Sequence, residues 1–357
     1  MARWYLAEEL INKTFTKVPK TAFSPKEANM QSILDRAVGI RAVVLGDLFL
    51  DHYVMGYASQ LSVEAPVPVV SVHEDIWLLG GAANVALNLK TFGSLVEVIG
   101  PLGMDTAGDR LQNLLADNKI LFDTRLRTSD VQTIVKTRIM AKRQQLCRVD
   151  RGNMANTAAF GRAMENLEDI LQNTDLLILS DHAKGALTQH LVDSAIEIAH
   201  KNNCFVAADP NPQHKLRYAG IDLITPSANE ALEMAEMERE KGRAVDWQSV
   251  CKKIYQSHAP KYLVITLSDQ GMLLCKDGQV LRQVQTAVRE VFDISGAGDT
   301  VISAISISLA VGKDLEDAAR FANTAAGIVV GKFGTAVATP AEIINAAQEA
   351  KPGRSRR

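Results

Sequence analysis

From Ala42 onward, short and nearly unbroken apolar runs alternate with longer stretches of helical period. Ala42–Leu45, Val96–Ile99, Leu176–Leu179, Phe205–Ala208, Leu223–Ile224 and Tyr262–Ile265 have the length and continuity of strands covered on both faces. Helical patterns over Ala82–Thr91, Ala107–Asp117, Thr188–Lys201, Val250–Ser257, Asp299–Ala310 and Leu315–Gly331 lie between or after them. Strand, polar turn and helix in repetition predict an α/β fold, a three-layer α/β/α sandwich on a mainly parallel central sheet. Several apolar runs end in polar or turn residues: Gly46 and Asp47, Ser180 and Asp181, Asp209 and Pro210, Thr225 and Pro226, Thr266. Ligands of such sheets bind beyond the carboxyl ends of the strands, so a site is expected where these residues gather.

Two segments break the rhythm. Tyr53–Trp77 is rich in Val, Pro and Ser without helical period, and Thr133–Asp150 interleaves Lys136, Arg138, Lys142, Arg143 and Arg148 with apolar residues. Together they predict a small β-lid outside the main sheet, drawn from about 53–77 and 131–151; ordinary loops and edge strands are the alternative. The main domain is expected over 39–345, preceded by a helical N-terminal extension, 1–38, and followed by a basic tail, 346–357. Met1–Phe15 reads as a short amphipathic helix, because charges interrupt the apolar centre that a signal peptide needs.

Composition narrows the classes. The chain has 357 residues, 47% hydrophobic, which allows a large core, and a net charge of −2 with both signs scattered, which argues against nucleic-acid or membrane partners. No run approaches the roughly 18 apolar residues of a membrane helix. Cys147, Cys204, Cys251 and Cys275 form no CxxC pair and suit reduced thiols of a cytoplasmic protein.

The richest chemical signal is Asp293-Ile294-Ser295-Gly296-Ala297-Gly298-Asp299-Thr300, directly before an apolar helix. Small residues at a helix start leave backbone N–H groups open as an anion pocket. Asp299 faces the same point and can accept a proton from an attacking hydroxyl. A glycine-rich turn with Asp299 as a cap is the alternative. A second glycine pair, Gly80-Gly81, enters the helix that carries Asn84; it reads alternatively as a tight turn.

These two segments resemble the C-terminal and N-terminal signatures of the ribokinase-like (PfkB) carbohydrate kinases, and the likeness runs from about Arg41 to Pro340. The resemblance implies a ribokinase-like fold and ATP-dependent phosphorylation of a sugar. It implies that Asp299 is the general base, that Gly296, Ala297 and Gly298 shape an anion hole, and that Gly80, Gly81 and Asn84 line the sugar site. Within the family, Gly46–Asp51, Ser62–Val70, Gln144–Asp150, Ser180–Gly185 and Ala325–Lys332 resemble the members that phosphorylate D-glycero-D-manno-heptose 7-phosphate at O1 for ADP-heptose synthesis. Asp47 and Asp51 then join the sugar site, and Lys136, Arg138, Lys142, Arg143, Arg148 and Lys184 become candidates for the substrate's phosphate, Lys184 foremost, with a solvated surface charge as the alternative for each.

Thr266, Ser268 and Gly271 fall in a stretch that resembles the family's adenine-nucleotide loop; a strand-to-hairpin turn is the alternative. Asn323 and Lys332–Thr335 fall where the family closes over adenine and often over a monovalent cation such as K⁺. Mg²⁺ is implied beside ATP, with Glu230 in the family's metal position, acting through water. Ser227 stands where the family usually has Asn and is assigned to the ATP site, and Asn211 stands where the heptose kinases carry Lys. The expected partners are a sugar phosphate, ATP, a second copy paired through lid strands such as Val67–Val72, and a separate nucleotidyltransferase. Another sugar, sugar phosphate or nucleoside as acceptor, and a catalytically degenerate kinase-fold scaffold, remain the competing readings.

Overall fold

The computed structural model describes residues 25–142, 144–153, 167–239, 244–286 and 291–349. In it the apolar runs form the strands of one sheet. β1 (Arg41–Gly46) sends two long strands, β2 (Leu48–Leu61) and β3 (Pro68–Gly81), away from the core before β4 (Leu95–Ile99) returns to it. Short strands β5 (Leu102–Gly103), β6 (Leu121–Phe122) and β7 (Arg127–Thr128) precede a second long hairpin, β8 (Gln132–Ala141) and β9 (Gln144–Asn153). The remaining core strands are β10 (Leu176–Ser180), β11 (Phe205–Asp209), β12 (Leu223–Ile224) and β13 (Tyr262–Thr266), with β14 (Met272–Lys276) and β15 (Gln279–Val284) at the edge. The helices are α1 (Pro25–Ala37), α2 (Ala82–Thr91), α3 (Thr106–Asp117), α4 (Leu167–Leu171), α5 (Gln189–Lys201), α6 (Ala228–Met234), α7 (Trp247–His258), α8 (Ala297–Ala310), α9 (Leu315–Val329) and α10 (Pro340–Glu349).

The main sheet runs β15-β14-β13-β12-β11-β10-β1-β4-β6, parallel except at β14 and β15. Its strands show why unbroken apolar runs were needed. Ala42, Val44, Leu176 and Ile178 pack into the core layer that holds α1, α2, α8 and α9. Their neighbours Val43, Leu45, Leu177 and Leu179 point the other way, into the layer of α4, α5, α6 and α7. β1 lies between β10 and β4, so chain order reverses there, and the crevice that such a reversal opens sits at the carboxyl ends of the strands.

The predicted lid is a four-stranded sheet, β3-β2-β8-β9, with β2 and β8 parallel and the outer pairs antiparallel. It is longer than the sequence pattern indicates, because β2 starts directly after β1 and β3 runs straight into α2. Among the described residues no helix is long and apolar enough to cross a membrane. The four cysteines are free, and Cys147 alone is exposed.

The expected boundary at 38/39 divides a packed element from its core. The amphipathic pattern proposed for Met1–Phe15 lies outside the described residues. α1, however, buries Met30, Ile33, Leu34 and Ala37 in the same cluster as α8, α9 and α10. Asn29 bridges to α9 by donating to Asp317 and accepting from Lys313 Nζ at 2.8 Å. The segment is polar on its other face, which made it read as an appendage. At the other end α10 continues to Glu349, past the expected start of the tail at 346, and buries Ile343 and Ala347; residues 350–357 lie outside the described part. Ile33→Ala should lower stability by about 2–5 kcal/mol, seen as a lower urea midpoint, as for other buried large-to-small changes. An unchanged midpoint would mean that α1 is peripheral after all.

Candidate active site

The carboxyl ends of the strands, the root of the lid and the start of α8 enclose one cavity of about 650 Å³. Under the lid it is lined by Phe49, Asp51, Gly81, Lys136, Arg138 and His182, and at its far end by Thr266, Ser268, Gly271, Asn323, Gly327 and Val330. Asp299 and the Gly296–Gly298 turn lie on its wall. Residues up to hundreds apart in sequence thus meet, because the lid, α8 and α9 all close over the edge at which the parallel strands end.

α8 explains the turn. Gly296 caps it with φ 76° and supplies no side-chain cap, so the first N–H groups of the helix lack the carbonyl partner that later turns have. Ala297 N–H turns back to the Ile294 carbonyl at 3.2 Å. A Cβ on Gly298 would meet nothing within 4 Å, which leaves the Gly298 and Asp299 end of the turn open to an anion. Asp293 braces the loop from behind: its carboxylate accepts from Ser295 N at 2.9 Å and from Gly334 N at 3.0 Å. The turn at 332–335 is tied in as well, since Thr335 Oγ1 donates to the Leu79 carbonyl at 3.0 Å and Lys332 is held by Glu342 at 2.7 Å.

Asp299 is buried, and its carboxyl is pushed up to about 6, mainly by loss of water. Asn84 Nδ2 opposes that lift by donating to Oδ2 at 2.7 Å; the Asp51 charge adds to it and Lys136 subtracts from it. Asp209, at the end of β11, is raised well above the usual carboxylate range by burial first and then by Asp299, Glu230 and Asp181. Burial lifts Asp51 too, while the Arg138 guanidinium paired with it works against the lift. Lys136 lies 3.5 Å from the centre of the Phe49 ring, and burial lowers its ammonium pKa. His182 is pushed down to about 3 by burial and by Lys136 and Lys184, so its imidazole is neutral.

Some residues expected at the sugar do other work. Asp47 is fully enclosed and accepts from the backbone N–H groups of His182, Lys184 and Ala186 at 2.9, 3.0 and 2.8 Å. It shapes the 181–186 loop and does not line the cavity. Lys184 contributes that backbone N–H, while the residue is exposed and outside the lining, so the foremost phosphate candidate sits off the site. Gly80 is a packing glycine: a Cβ there would meet Phe49 at 2.5 Å and Asp51 Oδ2 at 2.6 Å. Asn84 is fully buried and outside the lining.

At the far end, Gly271 is required as glycine, with φ 87° and the Val284 carbonyl oxygen 2.0 Å from where a Cβ would sit. Asn323 Nδ2 donates to the Gln285 carbonyl at 3.3 Å. Ser227 and Glu230 form a capping box on α6: Ser227 Oγ accepts from Glu230 N at 3.4 Å, and Glu230 Oε2 accepts from Ser227 N at 2.7 Å. The departure from Asn is thereby absorbed in a helix cap. Asn211 likewise caps a short 3₁₀ turn, accepting from Gln213 N at 3.1 Å, and lines the cavity.

Over residues 43–342 the chain matches the pfkB family carbohydrate kinases. The chain belongs to that family. It is 41% identical over 310 residues to the bifunctional protein HldE of Pseudomonas aeruginosa strain LESB58 and 38% identical over 310 residues to that of Pasteurella multocida strain Pm70. Each match covers 86% of this chain and 63% of the relative, so the chain spans less than two thirds of these relatives. Crystal structures share the ribokinase-like fold. Phosphofructokinase-2 from Escherichia coli in complex with potassium superposes with a TM-score of 0.72 at 20% identity, over 87% of this chain and 99% of that one. Arabidopsis thaliana ribokinase complexed with ribose and ATP gives 0.65 at 18%, over 87% and 99%.

This pfkB family kinase brings together wall residues that were given no individual role from its sequence: Phe49, His182, Asp209 and Thr225. Asp209 and Thr225 carried a signal as polar strand ends; Phe49 and His182 fell within the stretches Gly46–Asp51 and Ser180–Gly185 that resemble heptose 7-phosphate kinases, but nothing local marks either as a wall residue. The buried Asp299 charge has a cost to the fold. Its pKa is raised, so the penalty is absent below the ordinary carboxylate range and complete above pH 6. Asp299→Asn should therefore raise the melting temperature at pH 8, by at most about 3 kcal/mol of stability, and change it little at pH 4. Equal effects at both pH values would contradict the buried-charge account.

Proposed function

We propose that this chain transfers the γ-phosphoryl group of ATP to O1 of D-glycero-D-manno-heptose 7-phosphate, giving the 1,7-bisphosphate. The observation that carries the reading is the meeting of Asp299 with the open Gly296–Gly298 turn on the wall of a cavity that extends under the lid. Asp299 takes the proton of the sugar hydroxyl, and the N–H groups at the open Gly298 and Asp299 end of the turn stabilise charge on the transferring group. Asp51, held by Arg138, faces the sugar hydroxyls. Lys136 is the only lysine or arginine among the described lining residues without a carboxylate partner, which makes it the choice for the substrate's phosphate. The lid shuts water out of the reaction. The heptose assignment is supported by the sequence stretches that resemble heptose 7-phosphate kinases and by the identity to HldE.

ATP lies toward Thr266, Ser268, Gly271 and Asn323, with Ser227 nearby. The donors present suit Mg²⁺, a hard cation held by few protein oxygens and several waters. Glu230 has one oxygen outside its capping bond, and the buried Thr225 hydroxyl has no hydrogen-bond partner. Bound there, Mg²⁺ would neutralise charge on the phosphates. The resemblance to the family supports K⁺ beside Asn323 and the 332–335 turn, and the Escherichia coli phosphofructokinase-2 that shares this fold was solved in complex with potassium. The lid carries the exposed apolar residues Tyr57, Leu61, Val67, Val69 and Val72, which supports pairing of two chains through it. A second acceptor, another sugar phosphate, is favoured by Asn211, which offers no cation at a wall position of the cavity.

The test is ADP release with Mg-ATP on heptose 7-phosphate, sedoheptulose 7-phosphate, fructose 6-phosphate, ribose, fructose and adenosine. Turnover is expected on heptose 7-phosphate, with kcat lowered about 10²–10⁴-fold in Asp299→Asn. Preference for another acceptor would remove the heptose assignment and keep the kinase. The base must be ionised to act, so kcat/KM should rise with pH through about 6 and then level off. A profile flat from pH 5 to 8 would remove Asp299 from that role.

A further inference from the structure

One side chain under the lid presents a ring nitrogen that no protein group takes. His182 stands two residues beyond β10 and lines the cavity beside Phe49, Asp51 and Lys136. Its loop is held from behind. The backbone N–H groups of His182, Lys184 and Ala186 all donate to Asp47, and Ala183 N donates to Asp181 Oδ1 at 2.8 Å. Ala183 and Gly185 take left-handed φ values of 54° and 98°, which close the turn.

The imidazole is fixed as well. Its Nε2 lies 3.2 Å from Ser180 Oγ, and Ser180 is fully buried. It meets the Phe49 ring edge to face, with centroids 5.1 Å apart at 81°. Phe49 cannot retreat, because it fills the space left by Gly80 and Gly81, where a Cβ on either glycine would collide with the ring. Nδ1, by contrast, has no hydrogen-bond partner among the described residues, and it is not sealed from solvent as Thr225 Oγ1 is.

We infer that His182 is a specificity-determining residue, whose imidazole offers Nδ1 to a hydroxyl of the acceptor sugar beside the Phe49 ring. This rests on the kinase reading, which puts the acceptor under the lid. The ring is neutral, since burial and the Lys136 and Lys184 charges hold it at about 3. A neutral imidazole shares one proton between two nitrogens. With Nε2 engaged by the Ser180 hydroxyl, Nδ1 donates or accepts according to how that hydroxyl turns. A sugar hydroxyl also does both, so the pair is satisfied either way. A phosphate only accepts and finds no charge here, whereas Lys136 offers one against the same Phe49 ring. An acceptor whose phosphate meets Lys136 therefore brings its neighbouring hydroxyls toward His182. A site built to bond a hydroxyl discriminates against sugars that lack it, because its own polar atom is left unpaired.

The experiment is an NMR titration of the full chain carrying ¹⁵N-labelled histidine, with the His182 signals assigned by their loss in His182→Phe. Each acceptor of the panel is added without ATP, and inorganic phosphate is the control for charge alone. The acceptor that binds should move the Nδ1 resonance, and phosphate should leave it in place. No turnover is needed. A shift with fructose 6-phosphate and none with heptose 7-phosphate would remove the heptose assignment and keep this inference. In kinetics on the acceptor that turns over, His182→Phe keeps a ring against Phe49 and should raise the acceptor KM about tenfold, with the KM for ATP unchanged. His182→Asn, whose amide falls near the place of Nδ1, should recover most of the loss. Should His182→Phe not fold, His182→Gln, which mimics Nε2 and not Nδ1, carries the same expectation. An Nδ1 signal unmoved by every acceptor overturns the inference. So does a shift that phosphate alone reproduces, or an acceptor KM unchanged in the folded variant, which would leave His182 a packing residue.

Discussion

In the role proposed for Asp299, taking a proton from a sugar, a carboxylate has to sit away from water, yet burial works against the charge that makes it a base. The cavity is arranged around this conflict at Asp299. Burial lifts its carboxyl to about 6, and the Asn84 amide and the Lys136 charge limit the lift. The result is a carboxylate that is ionised at neutral pH and still basic enough to act. The open turn before it, the lid above it and the register of α2 against α8 all serve the same point in space.

That point exists because the lid is continuous with the core. β2 leaves β1 after a single residue, and β3 passes into α2 at Gly81 without a loop. Phe49, Asp51 and Lys136 are lid residues, while Asp299, Asp209 and the 296–298 turn belong to the sandwich. The enclosed Asp47, with three backbone N–H groups on its carboxylate, fastens the 181–186 loop beside the same junction. A carboxylate used in this way shapes the wall from behind and is as necessary to it as a lining residue.

Departures from the family pattern are absorbed locally. Ser227 and Glu230 satisfy each other's backbone N–H groups in a capping box, and Asn211 caps the next turn. In both cases a short polar side chain closes its own backbone and reaches less far into the cavity than a longer one would. Among the described lining residues, the ammonium left without a carboxylate partner is then that of Lys136 on the lid.

Much of this molecule was legible in one dimension. Apolar runs of four or five residues set the strands of the sheet, because a strand covered on both faces has no polar position to spare, and the glycine turn before α8 lies on the cavity wall. The lid's break in period was visible for the same reason. The sequence could not say which polar strand end faces the cavity and which faces a loop: Asp47 and Asp51 look alike in it, and only the turn of β2 sends one carboxylate to the 181–186 loop and the other to Arg138. Nor could it separate Lys184 from Lys136, since direction out of the fold decides which ammonium is buried. It also left α1 as an appendage, because its apolar side gains meaning only against α8, α9 and α10. Local pattern determines elements through the covering each face needs; the roles of individual charges depend on neighbours far along the chain, and packing alone chooses those.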